Sequence, residues 1–216
     1  PGNLQPADTV LPGGWAATGV GLGTAEYTKL TAGENQVTLT DATGMPHVWQ
    51  ATSGGYRPPA DDDGNLILNS DGRWELSDDD GSSIFDSAGR LVEVTGPSDA
   101  FNSAATVYTY GPYKSGSDVV RLRELRDVRG RVVRFAYGNG GTTQAANLNS
   151  LACANTVAGA EPPEGMLCKV SYDGFARAPG AAVPATDIGY SNGQLARIEN
   201  PGDTNLRPTA DFVYNG

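Results

Sequence analysis

The sequence is poor in the residues that most enzymes use for catalysis. Its 216 residues include one histidine, His47, and only two cysteines, Cys153 and Cys168. A Ser/His/Asp triad would have to use His47, and no G-x-S-x-G elbow is present. One histidine and two distant cysteines do not form a tetrahedral zinc site. We therefore interpret His47 as a structural or surface residue and predict a protein without catalytic activity, metal or cofactor.

Lysine is also scarce, with only three residues, and the formal net charge is −10. A surface that binds phosphates needs clustered lysine and arginine side chains. Arginines do cluster between residues 121 and 134, but Glu124 and Asp127 lie among them. A salt-bridged pair of strands explains this cluster, and we expect no nucleic-acid partner.

Long hydrophobic runs are missing as well. No stretch of about 18 apolar residues is present, so we predict no transmembrane helix. The chain starts at Pro1 without a signal peptide, and its last residues, DFVYNG, resemble a continuing repeat. We therefore expect a segment of a longer polypeptide.

Helical patterns are almost absent, whereas strand patterns occur along most of the chain. No long i, i+3, i+4, i+7 apolar stripe with capping residues is found. Short alternating runs, such as QVTLTD from Gln36 and RLVEVT from Arg90, end at Gly, Asn, Asp or Pro. The sequence predicts an all-β fold of consecutive antiparallel β-hairpins that forms a curved sheet or partial β-shell.

Three regions are distinguished along the chain. Residues 1–35 are predicted to be an irregular lead-in with few strands, and residues 36–84 a series of β-hairpins. Residues 85–216 are predicted to contain repeated hairpins, with a loop at 144–168 that is rich in small residues.

A repeat is visible when FDSAGRLVEVTGP is aligned with YSNGQLARIENPG, about a hundred residues later. In both copies a proline follows a glycine by eight residues, and a tyrosine follows that proline by thirteen. In the first copy, Val92 and Val94 are predicted to face opposite to Leu91, Glu93 and Thr95. A compressed copy, DVRGRVVRFAYGNG, lies between the two. The repeat-defining positions are Gly89, Arg90, Pro97, Tyr110, Gly130, Arg131, Tyr137, Gly193, Pro201 and Tyr214.

These motifs resemble the bacterial RHS repeats, also called YD repeats, whose usual form is D-x-x-G-R-L-x-x-V-x-x-P-x-G followed by Tyr-Asp. The resemblance covers residues 36–216, although the Tyr-Asp pair itself occurs only at Tyr172–Asp173. In that family the repeats wind into a hollow β-shell. Teneurins carry a similar repeat in adhesion receptors.

The resemblance implies a non-catalytic part of a secreted or cell-surface bacterial protein. There the shell encloses or presents a C-terminal effector, often a toxin. The implied partners are further repeats and the cargo domain of the same polypeptide.

An alternative is a carbohydrate-binding or adhesion module that binds cell-surface glycans. Its sugar-stacking aromatic residues would be Trp15, Trp49 and Trp74. The competing interpretation is that these rings pack in the core, where each aromatic pair gains about 0.5–1.5 kcal/mol beyond its buried area.

Two further features leave alternatives open. The segment between Cys153 and Cys168 is loop-like, so the two residues form either a disulfide, typical of oxidising compartments, or two buried thiols. The Asp-rich stretches at 61–65 and 78–82 are either solvated hairpin turns or calcium sites. Paired carboxylates such as Glu75 and Glu93 suggest a glycosidase only weakly, because the sequence does not say which acids face each other.

Overall fold

The computed structural model describes residues 11, 26–60, 62–97, 105–139, 151–153, 157, 161–174, 182–202 and 206–214. In this part of the chain there are fifteen strands and no helix, which confirms the predicted all-β fold of consecutive antiparallel hairpins. The strands are β1 (Tyr27–Ala32), β2 (Gln36–Asp41), β3 (Pro46–Thr52), β4 (Gly55–Arg57), β5 (Asn65–Leu68), β6 (Trp74–Asp78), β7 (Gly81–Phe85), β8 (Leu91–Thr95), β9 (Thr106–Pro112), β10 (Val120–Arg126), β11 (Val132–Tyr137), β12 (Leu167–Asp173), β13 (Ala185–Ser191), β14 (Gln194–Glu199) and β15 (Thr209–Asp211).

The strands follow one another in space in the order in which they occur in the chain. The first four form one sheet, and β5 to β15 form an eleven-stranded sheet in sequence order. Hairpins such as β6–β7 and β13–β14 pair antiparallel. Short connections between strands that alternate apolar and polar residues favour this arrangement.

The chain divides into two compact units. One unit contains β1 to β8, and the other contains β10 to β15. The first has a core that includes Val37, Leu39, Trp49, Leu66 and Phe85, each of which is fully buried. The second is built around Phe135, Cys168, Val170, Tyr190 and Leu195. Each unit therefore has its own apolar core.

The strand boundaries refine the three regions that the sequence suggested. The lead-in at 1–35 contains β1, and β7 crosses the boundary at residues 84 and 85. The loop at 144–168 overlaps the start of β12, which begins at Leu167. The alternation pattern did not reveal β4, because three residues are too few to show a period of two.

The predicted facing of the residues in β8 is wrong at Leu91. Leu91 and Val94 are both buried, although a strict period of two places them on opposite faces. The register with β7 shifts here, since Phe85 pairs with Leu91 and Ile84 pairs with Glu93. Val92 is the extra residue of a β-bulge, which turns Leu91 toward the core.

Candidate functional site

Six turns share one local arrangement, in which a glycine, one further residue and a buried apolar residue follow each other. Each glycine has a φ between 72° and 100°, a region that L side chains rarely adopt. Each apolar residue is at most 7% exposed. The six are Gly64–Leu66, Gly72–Trp74, Gly89–Leu91, Gly130–Val132, Gly165–Leu167 and Gly193–Leu195. Three of these glycines are repeat-defining positions, and Arg90 and Arg131 occupy the middle position in two of the turns.

The turn at Asp86 is held together by its own carboxylate. The backbone amide groups of Ala88 and Arg90 donate to Asp86 Oδ1 at 2.9 and 3.0 Å, and Arg90 Nε donates to Oδ2 at 2.7 Å. The backbone closes with bonds from Asp86 N to the Arg90 carbonyl and from Gly89 N to the Asp86 carbonyl. The same backbone pattern occurs at residues 41–45 and 69–73. This three-residue loop with glycine at the left-handed position is a common hairpin connection.

Gly89 has a second role that the repeat pattern did not reveal. Leu30 N donates to the Gly89 carbonyl at 2.8 Å, and Lys29 forms a β-bridge with Arg90. A Cβ atom at Gly89 would lie 1.8 Å from the Leu30 carbonyl oxygen, whereas one at Gly193 would meet nothing within 4 Å. Gly89 is therefore required by its dihedral angle and by a close backbone approach.

Bulges recur near the start of three strands that begin with this motif. Tyr190 pairs with Leu195 and Gly189 with Arg197, so Ala196 is extra in β14, as Val92 is in β8. A third bulge follows Leu167, where Cys168 is the extra residue of β12. The strand that begins at Leu167 is a copy that the sequence alignment missed. The Gly-x-Leu pattern of residues 165–167 is the signal that identifies it.

Tyrosines near the ends of returning strands hydrogen-bond to leucine carbonyls near the beginnings of preceding strands. The hydroxyl groups of Tyr137 and Tyr214 donate to the carbonyls of Leu122 and Leu195, both at 2.8 Å. Tyr190 donates in the same way to Leu167. Burial raises the pKa values of Tyr137 and Tyr190, so both remain neutral donors.

The other repeat-defining positions lie at strand ends. Tyr110 lies near the end of β9 and is half-buried. Pro97 and Pro201 each lie two residues after the last residue of a strand, β8 and β14. Proline cannot donate to a ladder, which fits positions where the hairpin strand stops.

Several charged side chains of β10 to β12 form ion pairs within and across these strands. Glu124 and Arg134 face each other in register, with Arg134 Nε 3.3 Å from the Glu124 carboxylate, and Arg134 also pairs with Asp173. Arg126 lies 2.8 Å from Glu124. The salt-bridged strand pair predicted for the arginine cluster is therefore present.

A second ion network, which the sequence did not reveal, surrounds Asp187 of β13. Its buried carboxylate lies 3.1 Å from Lys169 Nζ and 2.9 Å from Arg207 Nη2. Arg207 also pairs with Glu199 and donates to the carbonyls of Ala185 and Glu199. The segment before β15 is thereby fixed to β13 and β14.

Two of the three proposed sugar-stacking tryptophans are buried. Trp49 is 0% exposed and Trp74 is 6% exposed, with Trp74 packed edge-on against Tyr56 at 5.4 Å. Stacking on a sugar needs an open ring face, so these two residues do not form a glycan platform. Trp15 lies outside the described residues.

Cys153 and Cys168 form a disulfide, with their Cα atoms 5.4 Å apart. This confirms the first of the two interpretations left open by the sequence. Cys168 is fully buried in β12, so the bridge attaches the segment at 151–153 to the core of its unit. A loop of this length gains about 3 kcal/mol in the chain-entropy model.

His47 lies between two carboxylates. Its Nδ1 atom is 3.0 Å from both oxygens of Asp62, and its Nε2 atom is 3.4 Å from Asp41 Oδ2. The Tyr27 ring meets the imidazole edge-on at 5.3 Å. Because both ring nitrogens face acceptors, the arrangement suits a protonated imidazolium that donates twice. An imidazolium in these contacts has no lone pair with which to act as a base.

The Asp-rich turns are stabilised by hydrogen bonds of their own. Asp78 accepts from the backbone amide of Asp80 at 2.8 Å in the turn between β6 and β7, and Asp62 pairs with His47. Within the described ranges, no group of three or more His, Cys, Asp or Glu side chains could hold a metal ion.

Glu75 and Glu93 lie on either side of Ile84, which pairs with both. Two strand spacings separate their backbones by about 9.6 Å. Asn69 donates to Glu75 at 3.1 Å, so one of these carboxylates has a structural partner.

An open groove of about 240 Å³ lies beside the β13–β14 turn. Its walls are Ser191, Asn192, Gln194, Ala196 and the segment Phe212–Tyr214. The walls carry no carboxylate, imidazole, lysine or arginine side chain.

Where the chain is described, no helix is long and apolar enough to cross a bilayer. A scan against protein-family models and searches of characterised proteins and of solved structures each returned no match.

Proposed function

We propose that this chain is a non-catalytic, wall-forming segment of a secreted or cell-surface protein with RHS/YD-like repeats. The observation that carries the proposal is the recurrence of one local device in successive hairpins. A positive-φ glycine precedes a buried apolar residue in six turns, and a bulge follows three of those residues. If the repeat encodes a structural unit, the same local geometry is expected wherever the repeated sequence occurs.

The energetics of hairpins favour this role. A single hairpin is marginally stable in water, whereas consecutive hairpins bury shared faces and stabilise one another. The strands β5 to β15 follow this plan, since each is paired with its sequence neighbour. Many conspicuous side chains of the repeats, including Tyr137, Arg134 and Asp187, make internal contacts. Side chains that make contacts within the fold stabilise it, which suits a structural wall better than a reactive site.

The wall encloses or presents a C-terminal effector domain of the same polypeptide, and its direct partners are further repeats. The disulfide between Cys153 and Cys168 supports an oxidising, extracellular location. The net charge of −10 supports a partner other than nucleic acid.

The test uses the full protein encoded by the native gene, purified with all residues that flank this segment. We expect additional hairpin repeats on at least one side and a downstream domain that resists limited proteolysis until the repeats are unfolded. A native protein without further repeats, or a downstream domain cut as fast as the isolated domain, would overturn the proposal.

The last strand offers a second test on this chain alone. All three residues of β15 are exposed, and β15 is the final strand in the order of its sheet. Unpaired groups on an edge strand are templates for another strand. We expect concentration-dependent association in sedimentation, and a strict monomer at high concentration would count against repeat-to-repeat pairing at this edge.

A further inference from the structure

The only histidine of the chain belongs to a cluster in the unit that contains β1 to β8. His47 lies in β3, and its partners come from elsewhere: Asp41 ends β2, and Asp62 lies in the connection between β4 and β5. Tyr27 of β1 also hydrogen-bonds to the Asp62 carboxylate. One imidazole therefore joins the connection to the four-stranded sheet.

Asp62 is the buried member of the cluster. Its side chain is 5% exposed, compared with 19% for His47 and for Asp41. A carboxylate removed from water needs a charged or hydrogen-bonding partner, because uncompensated burial of charge is strongly destabilising. His47 and Tyr27 supply these partners. The position of Asp62 thus depends on the charge of His47.

The surroundings of the cluster are acidic. Glu26 precedes β1, and its pKa is raised by burial and by the neighbouring carboxylates of Asp62, Asp78 and Asp63. The pKa of Tyr27 is raised by burial and by its bond to Asp62. Among these groups and Asp41, His47 is the one that can supply positive charge. The positive charge of the His47 imidazolium therefore offsets the mutual repulsion of these carboxylates.

Hydrogen bonds and ion pairs shift the pKa values of His47 and Asp41. Burial disfavours the charged form of His47, but bonds and ion pairs with Asp41 and Asp62 outweigh it and raise its pKa. Burial likewise opposes ionisation of Asp41. Hydrogen bonds from Thr43, the Met45 amide and His47 nevertheless lower the pKa of Asp41 to about 2.

We propose that protonation of His47 is a latch: the imidazolium fastens the β4–β5 connection to the four-stranded sheet through Asp62, and loss of the proton loosens it. Opening is a local change at His47. Neutral imidazole can donate to only one of its two carboxylates, so deprotonation removes one hydrogen bond of the cluster. In either tautomer the ion pair is lost, so Asp62 then lies near the carboxylate of Glu26 without the charge of the imidazolium.

The sign of the pH dependence follows from the raised pKa. The stabilisation is fully present below the ordinary histidine value of 6.5 and is lost as the pH rises through the higher value in the folded protein. The latch is therefore closed in mildly acidic surroundings and opens on the alkaline side.

The experiment is an NMR titration of the full chain, which is simple because one histidine gives one imidazole signal. We expect a His47 midpoint above 6.5 and the same midpoint in the backbone amides of Asp62, Asp63 and Gly64. Hydrogen exchange at these amides, corrected for intrinsic pH dependence, should accelerate above that midpoint. A midpoint at or below 6.5, or amides that do not follow the imidazole, would overturn the proposal.

Matched variants separate the latch from a general charge effect. Asp62→Asn should lower the His47 midpoint, whereas Asp79→Asn, which removes the same charge from the exposed β6–β7 turn, should leave it unchanged. His47→Gln should abolish the transition of the amide shifts at the histidine midpoint. If His47→Gln does not fold, the Asp62→Asn titration decides alone, and an unchanged midpoint in that variant contradicts the latch.

Discussion

The hairpins β7–β8 and β13–β14 begin their second strands alike but turn differently. In both, a buried leucine follows a positive-φ glycine, and the next residue is the extra residue of a bulge. The first hairpin turns through a loop held by the Asp86 carboxylate. The second turns through Asn192 and Gly193, both with positive φ, as two-residue type I′ turns require.

The comparison shows which part of the repeat carries the structure. The residues of the turn can differ between copies, since a carboxylate closes the turn at Asp86, whereas positive φ angles close it at Asn192 and Gly193. The glycine, the leucine and the bulge are retained because together they aim one large apolar side chain at the core. Within each hairpin, substitutions of the glycine and the leucine should therefore cost more stability than substitutions elsewhere in the turn.

Leu91→Ala and Leu195→Ala should give the largest losses, about 2–5 kcal/mol of unfolding free energy each, because both side chains are 0% exposed. The two losses should be similar, since the residues hold equivalent positions. Urea unfolding, with residue-resolved hydrogen exchange in each hairpin, measures both. Leu206→Ala is the control, because Leu206 is 80% exposed and should change stability by less than about 0.5 kcal/mol. A loss below about 1 kcal/mol at either buried leucine would break the equivalence.

Gly89→Ala and Gly193→Ala should differ. Both add left-handed strain of about 1–2 kcal/mol, but at Gly89 the new methyl group also collides with the Leu30 carbonyl. We expect about 3 kcal/mol or more at Gly89 and about 1–2 kcal/mol at Gly193. Thermal and urea unfolding provide the measurement. Equal losses would show that the close approach to β1 does not matter.

Asp86→Ala should cost about 1–2 kcal/mol because two backbone amides and the Arg90 guanidinium lose their acceptor. Asp86→Asn keeps one side-chain oxygen and should retain most of the stability. Ser191→Ala, at the first position of the other turn, should stay within about 0.5 kcal/mol of the parent. A large effect at Ser191 would mean that the second turn also depends on its side chain.

Tyr190→Phe and Tyr214→Phe remove the same kind of bond, and Tyr214→Phe should have the smaller effect of the two. Tyr190 is 1% exposed, so its loss leaves the Leu167 carbonyl without that donor and should cost about 1–2 kcal/mol. Tyr214 is 44% exposed, and water can replace its hydroxyl at a cost of about 0.5 kcal/mol or less. A larger loss of stability at Tyr214 than at Tyr190 would show that burial of the hydroxyl contact does not set its contribution.

Much of the fold was predictable because hairpin signals are local. The alternation in QVTLTD correctly places Val37 and Leu39 on the buried face of β2. The glycines at 89, 130 and 193 stand out by their spacing in the sequence. Turn residues and a period of two are properties of a few neighbouring residues, which is why the sequence is sufficient for them.

The contacts that depend on three-dimensional placement could not be predicted. A bulge breaks the period of two without a distinctive residue, so the burial of Leu91 beside Val94 was missed. His47 meets Asp41 and Asp62 only because β2, β3 and the β4–β5 connection converge. The sequence also leaves open whether Trp49 and Trp74 are exposed, and the structure shows that both are buried.

Backbone NMR of the whole chain can establish whether residues 89–95 and 193–199 are copies of one structural unit. We expect matching chemical-shift patterns through the two bulges, with cross-strand contacts from Leu91 to Phe85 and from Leu195 to Tyr190. A regular, unbulged strand in one copy, or pairing of either leucine with a different neighbour, would contradict it.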